Sequence, residues 1–110
     1  MWLITTFGFF SAVQKPGDAE LTVRARVRAD LEALREKYAP ALGEITESAG
    51  TDYPFRARIT HEAFAEAVRR AALDVHYDNF KSEVARVQGW GREGVYAKVW
   101  SVLRGLQKGG

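Results

Sequence analysis

Apolar and charged residues alternate strictly in two short stretches, Val23-Arg24-Ala25-Arg26-Val27 and Phe55-Arg56-Ala57-Arg58-Ile59. Alternation with a period of two marks a strand with one buried and one exposed face. Both stretches therefore predict strands, the first over Leu21–Arg28 and the second over Tyr53–Thr60. Leu21, Val23, Ala25 and Val27 are expected to point inward, as are Tyr53, Phe55, Ala57 and Ile59. The outward faces then carry Arg24, Arg26, Arg28, Arg56 and Arg58.

The rest of the chain is punctuated around these strands. Trp2–Val13 is rich in aromatic and β-branched residues and predicts one long strand. Leu3, Phe7, Phe9 and Val13 would lie on one side of it, with Trp2, Ile4 and Phe10 on the other. Gly8 marks a bulge or a close backbone approach. Lys15-Pro16-Gly17-Asp18 is a turn, so this strand should pair antiparallel with Leu21–Arg28. Asp30 is placed to cap a helix with Leu31, Leu34 and Tyr38 on its inner face and Pro40 beyond its end. Gly43–Ala49 reads as a weak edge strand carrying Glu44 and Glu47. After the turn at Ala49–Asp52 and the second arginine strand, Thr60 caps a helix whose inner stripe is Phe64, Val68 and Leu73. Asp78 is placed to cap a further helix, Gly89-Trp90-Gly91 breaks it, and a last helix uses Val95, Tyr96, Val99, Trp100, Leu103 and Leu106.

The order β-β-α-β-β-α predicts an α+β fold. It fits a permuted ferredoxin-like arrangement: a four-stranded antiparallel sheet, helices on one face, and extra C-terminal helices. The first strand would replace the last strand of the usual order, and the two arginine strands would be central neighbours. One domain over 1–107 and a tail at 108–110 are expected.

Composition narrows function by exclusion. The chain has 110 residues, no cysteine and a net charge of +2, from 16 basic and 14 acidic side chains. Thiolate chemistry, disulfides and cysteine-based zinc sites are excluded, and a cytoplasmic location is the simplest expectation. The apolar N-terminus lacks a basic flank and is too short to span a bilayer, so no membrane partner is expected. The mild positive excess permits an anionic partner without requiring one.

The placement of the arginines is more informative. Five on one sheet face repel one another. Glu44, Glu47, acids of the C-terminal helices, or an external anion must offset them. Guanidinium forks suit phosphate, and Phe7 or Phe9 on the same face would supply a base-stacking surface. The candidate anion-binding residues are therefore Arg24, Arg26, Arg28, Arg56 and Arg58, with nucleic acid or another polyanion as the partner. A glycine-rich, aromatic RNA-recognition signature is not present on either strand. A second candidate is the polar stretch His76, Tyr77, Asp78, Asn79 and Lys81, an alternative enzyme site or, more simply, a helix junction. His61 and His76 share no metal-ligand spacing, and no nucleophile elbow or phosphate loop occurs, so no catalytic residue, metal or cofactor is assigned. Apolar strand and helix surface predicts a homo-oligomer, simplest as a dimer, and a purely structural dimer is the further alternative if the arginines are all paired to acids within the protein.

Met1-Trp2-Leu3-Ile4-Thr5-Thr6-Phe7-Gly8-Phe9-Phe10-Ser11, Tyr77-Asp78-Asn79-Phe80-Lys81 and Val95-Tyr96-Ala97-Lys98-Val99-Trp100 resemble segments of small uncharacterised bacterial proteins. The resemblance extends over nearly the whole chain and implies no activity and no site residue.

Overall fold

A computed structural model describes residues 1–109; of the expected tail, Gly110 lies outside the described residues. The chain forms two compact units, the first Met1–Val75 and the second beginning at His76.

The first unit is α+β. Its strands are β1 (Trp2–Thr5), β2 (Gly8–Val13), β3 (Leu21–Ala25), β4 (Thr46–Glu47) and β5 (Phe55–Ile59), and its helices are α1 (Arg28–Lys37) and α2 (His61–Leu73). The strands make one antiparallel sheet in the order β1-β2-β3-β5-β4. The two arginine strands, β3 and β5, are adjacent, as expected of the central pair.

The sheet has five strands where four were expected, because the long N-terminal strand folds back on itself. Thr5 causes the reversal. Its hydroxyl donates to the Gly8 carbonyl at 2.7 Å and accepts from the amides of Phe7 and Gly8 at 3.2 and 3.0 Å. A threonine side chain that takes over backbone partners in this way competes with continued strand pairing. The fold-back also changes side-chain parity. Phe7 joins the core against Phe10 and Tyr38, while Phe9 goes to the opposite side of the sheet from Phe10.

One face of the sheet holds the core. Phe10, Ala12, Val23, Ala25, Ala57 and Ile59 pack with Leu31 and Leu34 of α1 and with Phe64 and Ala67 of α2. Phe10, Val23, Ala25, Leu31 and Ile59 are almost fully buried, each worth roughly 1.5–3 kcal/mol for the larger side chains. Leu73, expected in the buried stripe of α2, is exposed at the last residue of the helix.

The helix ends show where local rules held. The Thr60 hydroxyl accepts from the Ala63 amide at 3.1 Å and caps α2 as expected. Asp30 does not cap α1, which starts earlier, at Arg28. Its carboxylate instead reaches across to β2 and accepts the Phe9 amide at 2.9 Å. This explains Gly8. A β-carbon there would sit 2.9 Å from the Asp30 side chain and 2.7 Å from the Phe10 ring, so only glycine lets helix and strand approach.

The second unit is a helical hairpin, α3 (Phe80–Gln88) and α4 (Trp90–Leu103), followed by a short 3₁₀ segment at Arg104–Lys108. Gly89, at φ +92°, joins the two helices in a backbone region that glycine readily adopts. Phe80 stacks on Tyr96, at 6.0 Å between centroids, and ties the hairpin together. Asn79, not Asp78, caps α3, accepting the Ser82 amide at 2.9 Å. No helix among the described residues is long and apolar enough to cross a membrane.

Candidate functional site

The face of the sheet opposite the core is built row by row from strand register. Trp2, Ser11, Arg24, Arg56 and Thr46 are successive cross-strand partners, so one row crosses all five strands. Val13, Thr22 and Arg58 form the next row. Arg24 and Arg56 are therefore directly opposite each other, an unfavourable pairing unless other groups offset it.

The five arginines expected on the sheet face divide into two groups. Arg58 lies 3.6 Å from Asp18 and 3.4 Å from Glu20, carboxylates brought there by the β2–β3 turn. Arg28 is the first residue of α1 and pairs with Glu32 one turn on, at 3.5 Å. It does not belong to the sheet face, because β3 ends at Ala25 and the chain turns into the helix. Glu44 and Glu47, one of the alternatives for offsetting the face, pair with none of these arginines among the described residues. The register gives the reason for Glu47: it sits opposite Phe55, whose parity is that of the core side.

Arg24, Arg26 and Arg56 form the other group, and Tyr53 organises it. The Arg24 and Arg26 guanidinium carbons lie 4.5 and 4.7 Å from the Tyr53 ring centroid. Arg56 Nε donates to the Tyr53 carbonyl at 3.2 Å. Arg26 donates to the Asp52 carbonyl at 2.8 Å, and Arg24 donates to the buried Ser11 hydroxyl at 2.7 Å. The partners are thus a π-face, two carbonyls and a hydroxyl. None is an anion, so all three charges remain uncompensated by acidic side chains among the described residues. Arg24 Nε is buried with no hydrogen-bond partner.

Aromatic surface borders the arginines. Phe9 lies 6.2 Å from Tyr53, and Trp2 packs edge-on against Phe9 at 5.5 Å. Trp2 is 68% exposed and Tyr53 only 6%. Of the two stacking candidates, Phe9 is on this side and Phe7 is in the core. Tyr53, expected to point into the core, lies outside the core cluster, beneath the arginines. It precedes Pro54, and β5 begins only at Phe55, so the strand's alternation does not fix its direction. Tyr53 was missed as a site residue for that reason, and Trp2 because the fold-back at Thr5 puts it opposite Ser11 and not on the side of Phe10. Asp18 and Glu20 were legible only as turn residues, because their role depends on the hairpin returning beside β5.

The polar stretch of the second unit is used along the start of the hairpin. His76 is exposed, meets the Tyr77 ring edge-on and lies 3.7 Å from the Glu83 carboxylate. Tyr77 packs against Phe80, Asn79 caps α3, and the Lys81 ammonium sits 4.9 Å over the Trp100 ring. Asp78 is exposed. Glu83 also takes Arg86 through both guanidinium nitrogens of a fork. That hydrogen bonding holds the Glu83 carboxyl below the ordinary glutamate range, against a smaller opposing effect of desolvation, and raises Arg86. Among the described residues, no three His, Asp or Glu side chains gather into a group that could hold a metal ion.

No protein-family model, curated protein or solved structure matches the chain.

Proposed function

We propose that this is a small cytoplasmic, self-associating binding protein, non-enzymatic, whose arginine-lined sheet face takes a polyanion, with single-stranded nucleic acid the first candidate. One observation carries the reading: Arg24, Arg26 and Arg56 are held together around Tyr53 without an acidic partner, while Arg58 on the same strand as Arg56 is neutralised. Guanidinium groups pre-oriented by a ring and by carbonyls lose little freedom when they meet phosphate. The exposed Trp2 ring beside them offers a sequence-tolerant platform for a base. The strand order β2-β3-β5-β4, with α1 and α2 on one face, is read as the permuted ferredoxin-like arrangement, β2 taking the place of the final strand and β1 added at the edge. Such sheets often use the face opposite their two helices for binding, which is support by fold analogy alone.

The test is a fluorescence titration with labelled oligothymidylate and a single-stranded RNA of equal length, at two salt concentrations. Binding should weaken steeply with salt. Arg26→Ala with Arg56→Ala should weaken it at least about tenfold and reduce the salt slope by about 1.4, from two contacts at ~0.7 each. Trp2→Ala should cost about 1 kcal/mol of affinity without touching the salt slope. No binding at the lower salt, or binding indifferent to the double substitution, overturns the reading.

A further inference from the structure

β1 is the outermost strand on one side of the sheet. Its hydrogen-bonding parity follows from its pairing with β2. Met1 and Ala12 exchange hydrogen bonds of 2.9 Å in both directions, so Trp2–Ser11 and Ile4–Phe9 are the non-bonded pairs of the ladder. The Phe9 amide agrees, since it turns away from β1 to Asp30. The N–H and C=O groups of Trp2 and Ile4 therefore point outward from the sheet, where no hydrogen bond among the described residues reaches them. Sheet edges are normally guarded by charge, proline, a bulge or brevity. The opposite edge has such guards, because β4 is only Thr46–Glu47 and ends in a carboxylate. β1 has none: Trp2-Leu3-Ile4-Thr5 is uncharged, lacks proline and runs in unbroken register with β2.

We propose that β1 pairs antiparallel with β1 of a second copy, about a two-fold axis at Leu3. The outward groups select this register. Trp2 of each copy meets Ile4 of the other, and each such pair exchanges both of its hydrogen bonds. Leu3, which packs against the core, faces Leu3 of the second copy on that side of the sheet. On the arginine side an aromatic residue stands opposite a β-branched one twice over, a favourable cross-strand combination. Trp2, 68% exposed in the single chain, gains an apolar neighbour along one flank. Three features favour a second copy over an unrelated strand. The match is two-fold symmetric, as an isologous interface requires. The strand is neutral, so it offers no charge for an unlike partner to read. Like charges do not oppose the pairing either, because the β3 strands of the two copies lie five strand spacings apart, about 24 Å, beyond the Debye length of ~8 Å at physiological salt. The assembly closes at two copies, since the β4 edges stay guarded. It rests on the proposed self-association, for which it supplies the surface, and does not depend on any polyanion.

The experiment is amide hydrogen exchange by NMR on the full chain across a dilution series, with sedimentation equilibrium on the same samples. The seam is small, so the dissociation constant should lie in the micromolar range. The mass should rise with concentration from 12.3 kDa toward twice that value and stop there. The Trp2 and Ile4 amides should exchange at least about tenfold more slowly in the concentrated sample, while the Leu3 amide, turned toward β2, changes less. Ile4→Pro removes one donor from each pair and no bond to β2, and the dimer should dissociate at least about tenfold more readily. Ile4→Thr keeps the donor and the β-branch and should shift the constant by less than about threefold. Should the proline variant unfold, Ile4→Lys puts a charge on the edge and takes its place. Added salt should leave the neutral seam intact, whereas polyanion binding weakens. A dimer whose Trp2 and Ile4 amides exchange as freely as in the monomer, or one that ignores Ile4→Pro, overturns the edge pairing and leaves self-association standing. A monomer at every concentration overturns both, and protection of its Trp2 and Ile4 amides by an alternating Val-Thr peptide would give the edge to a foreign strand. Assembly beyond the dimer overturns the two-fold closure.

Discussion

Arg58 and Arg56 are two residues apart on one strand and point the same way, yet their surroundings share nothing. Arg58 faces Asp18 and Glu20 at 3.6 and 3.4 Å, an exposed, acid-neutralised position. Arg56 faces Arg24 across the ladder and holds the Tyr53 carbonyl, in a cluster with no acid among the described residues. The first arrangement is ordinary surface electrostatics, in which long side chains form an exposed pair worth less than about 1 kcal/mol. In the second, an aromatic ring and backbone carbonyls hold like charges close together without cancelling them. A protein surface normally avoids that state, and under the proposed function this is the part of the sheet that an external anion would complete.

Substitutions at Tyr53 break the comparison hardest. Tyr53→Ala removes the ring under two guanidinium groups and a nearly buried side chain, and should destabilise the fold by about 3 kcal/mol. Tyr53→Leu keeps most of the volume and should cost about 1–2 kcal/mol, leaving Arg24 and Arg26 to repel each other. Urea denaturation of the two variants checks this; equal and small losses would show that the ring does not organise the arginines.

A smaller effect is expected at the neutralised end. Asp18→Ala with Glu20→Ala should change stability by less than about 1 kcal/mol, because both pairs are solvent-exposed. The same variant frees Arg58 and should tighten oligonucleotide binding by about threefold, through added positive potential on the face. Unchanged or weaker binding would separate Arg58 from the anion surface altogether.

The smallest effect concerns Glu83, a second acid-paired control in the helical hairpin. Its folded carboxyl lies below the ordinary glutamate range, chiefly through the Arg86 hydrogen bonds. A depressed folded pKa means that the pair's contribution is complete above the ordinary glutamate range and fades as pH falls through the lowered value. The Glu83 side-chain carbon resonance should therefore titrate at lower pH in the wild type than in Arg86→Ala. Identical midpoints would remove the pair from consideration.

Much of the scaffold was readable from residue order. The alternation at Val23–Val27 and Phe55–Ile59 defined β3 and β5, and Gly17 and Gly50, both at positive φ, mark turns at the expected places. Thr60 and Gly89 acted at the helix ends where their chemistry suggested. Asp30 and Thr5 were misread because each has two uses for its oxygen. Local pattern favours a cap for Asp30 and strand continuation for Thr5, while packing of α1 on β2 and the fold-back at Phe7 selected other partners.

The repeated Arg-Ala-Arg phrase was decided by sequence in one respect: period two puts its arginines opposite the apolar side chains of the same strands. Which arginines stay uncompensated was decided only by tertiary structure. Register set Arg24 against Arg56, a hairpin carried Asp18 and Glu20 to Arg58, a helix start withdrew Arg28, and Pro54 released Tyr53 from the strand to sit beneath Arg24 and Arg26. A strand's period is a property of its own backbone, but the partners of a long charged side chain come from elsewhere in the chain, and only folding brings them within reach.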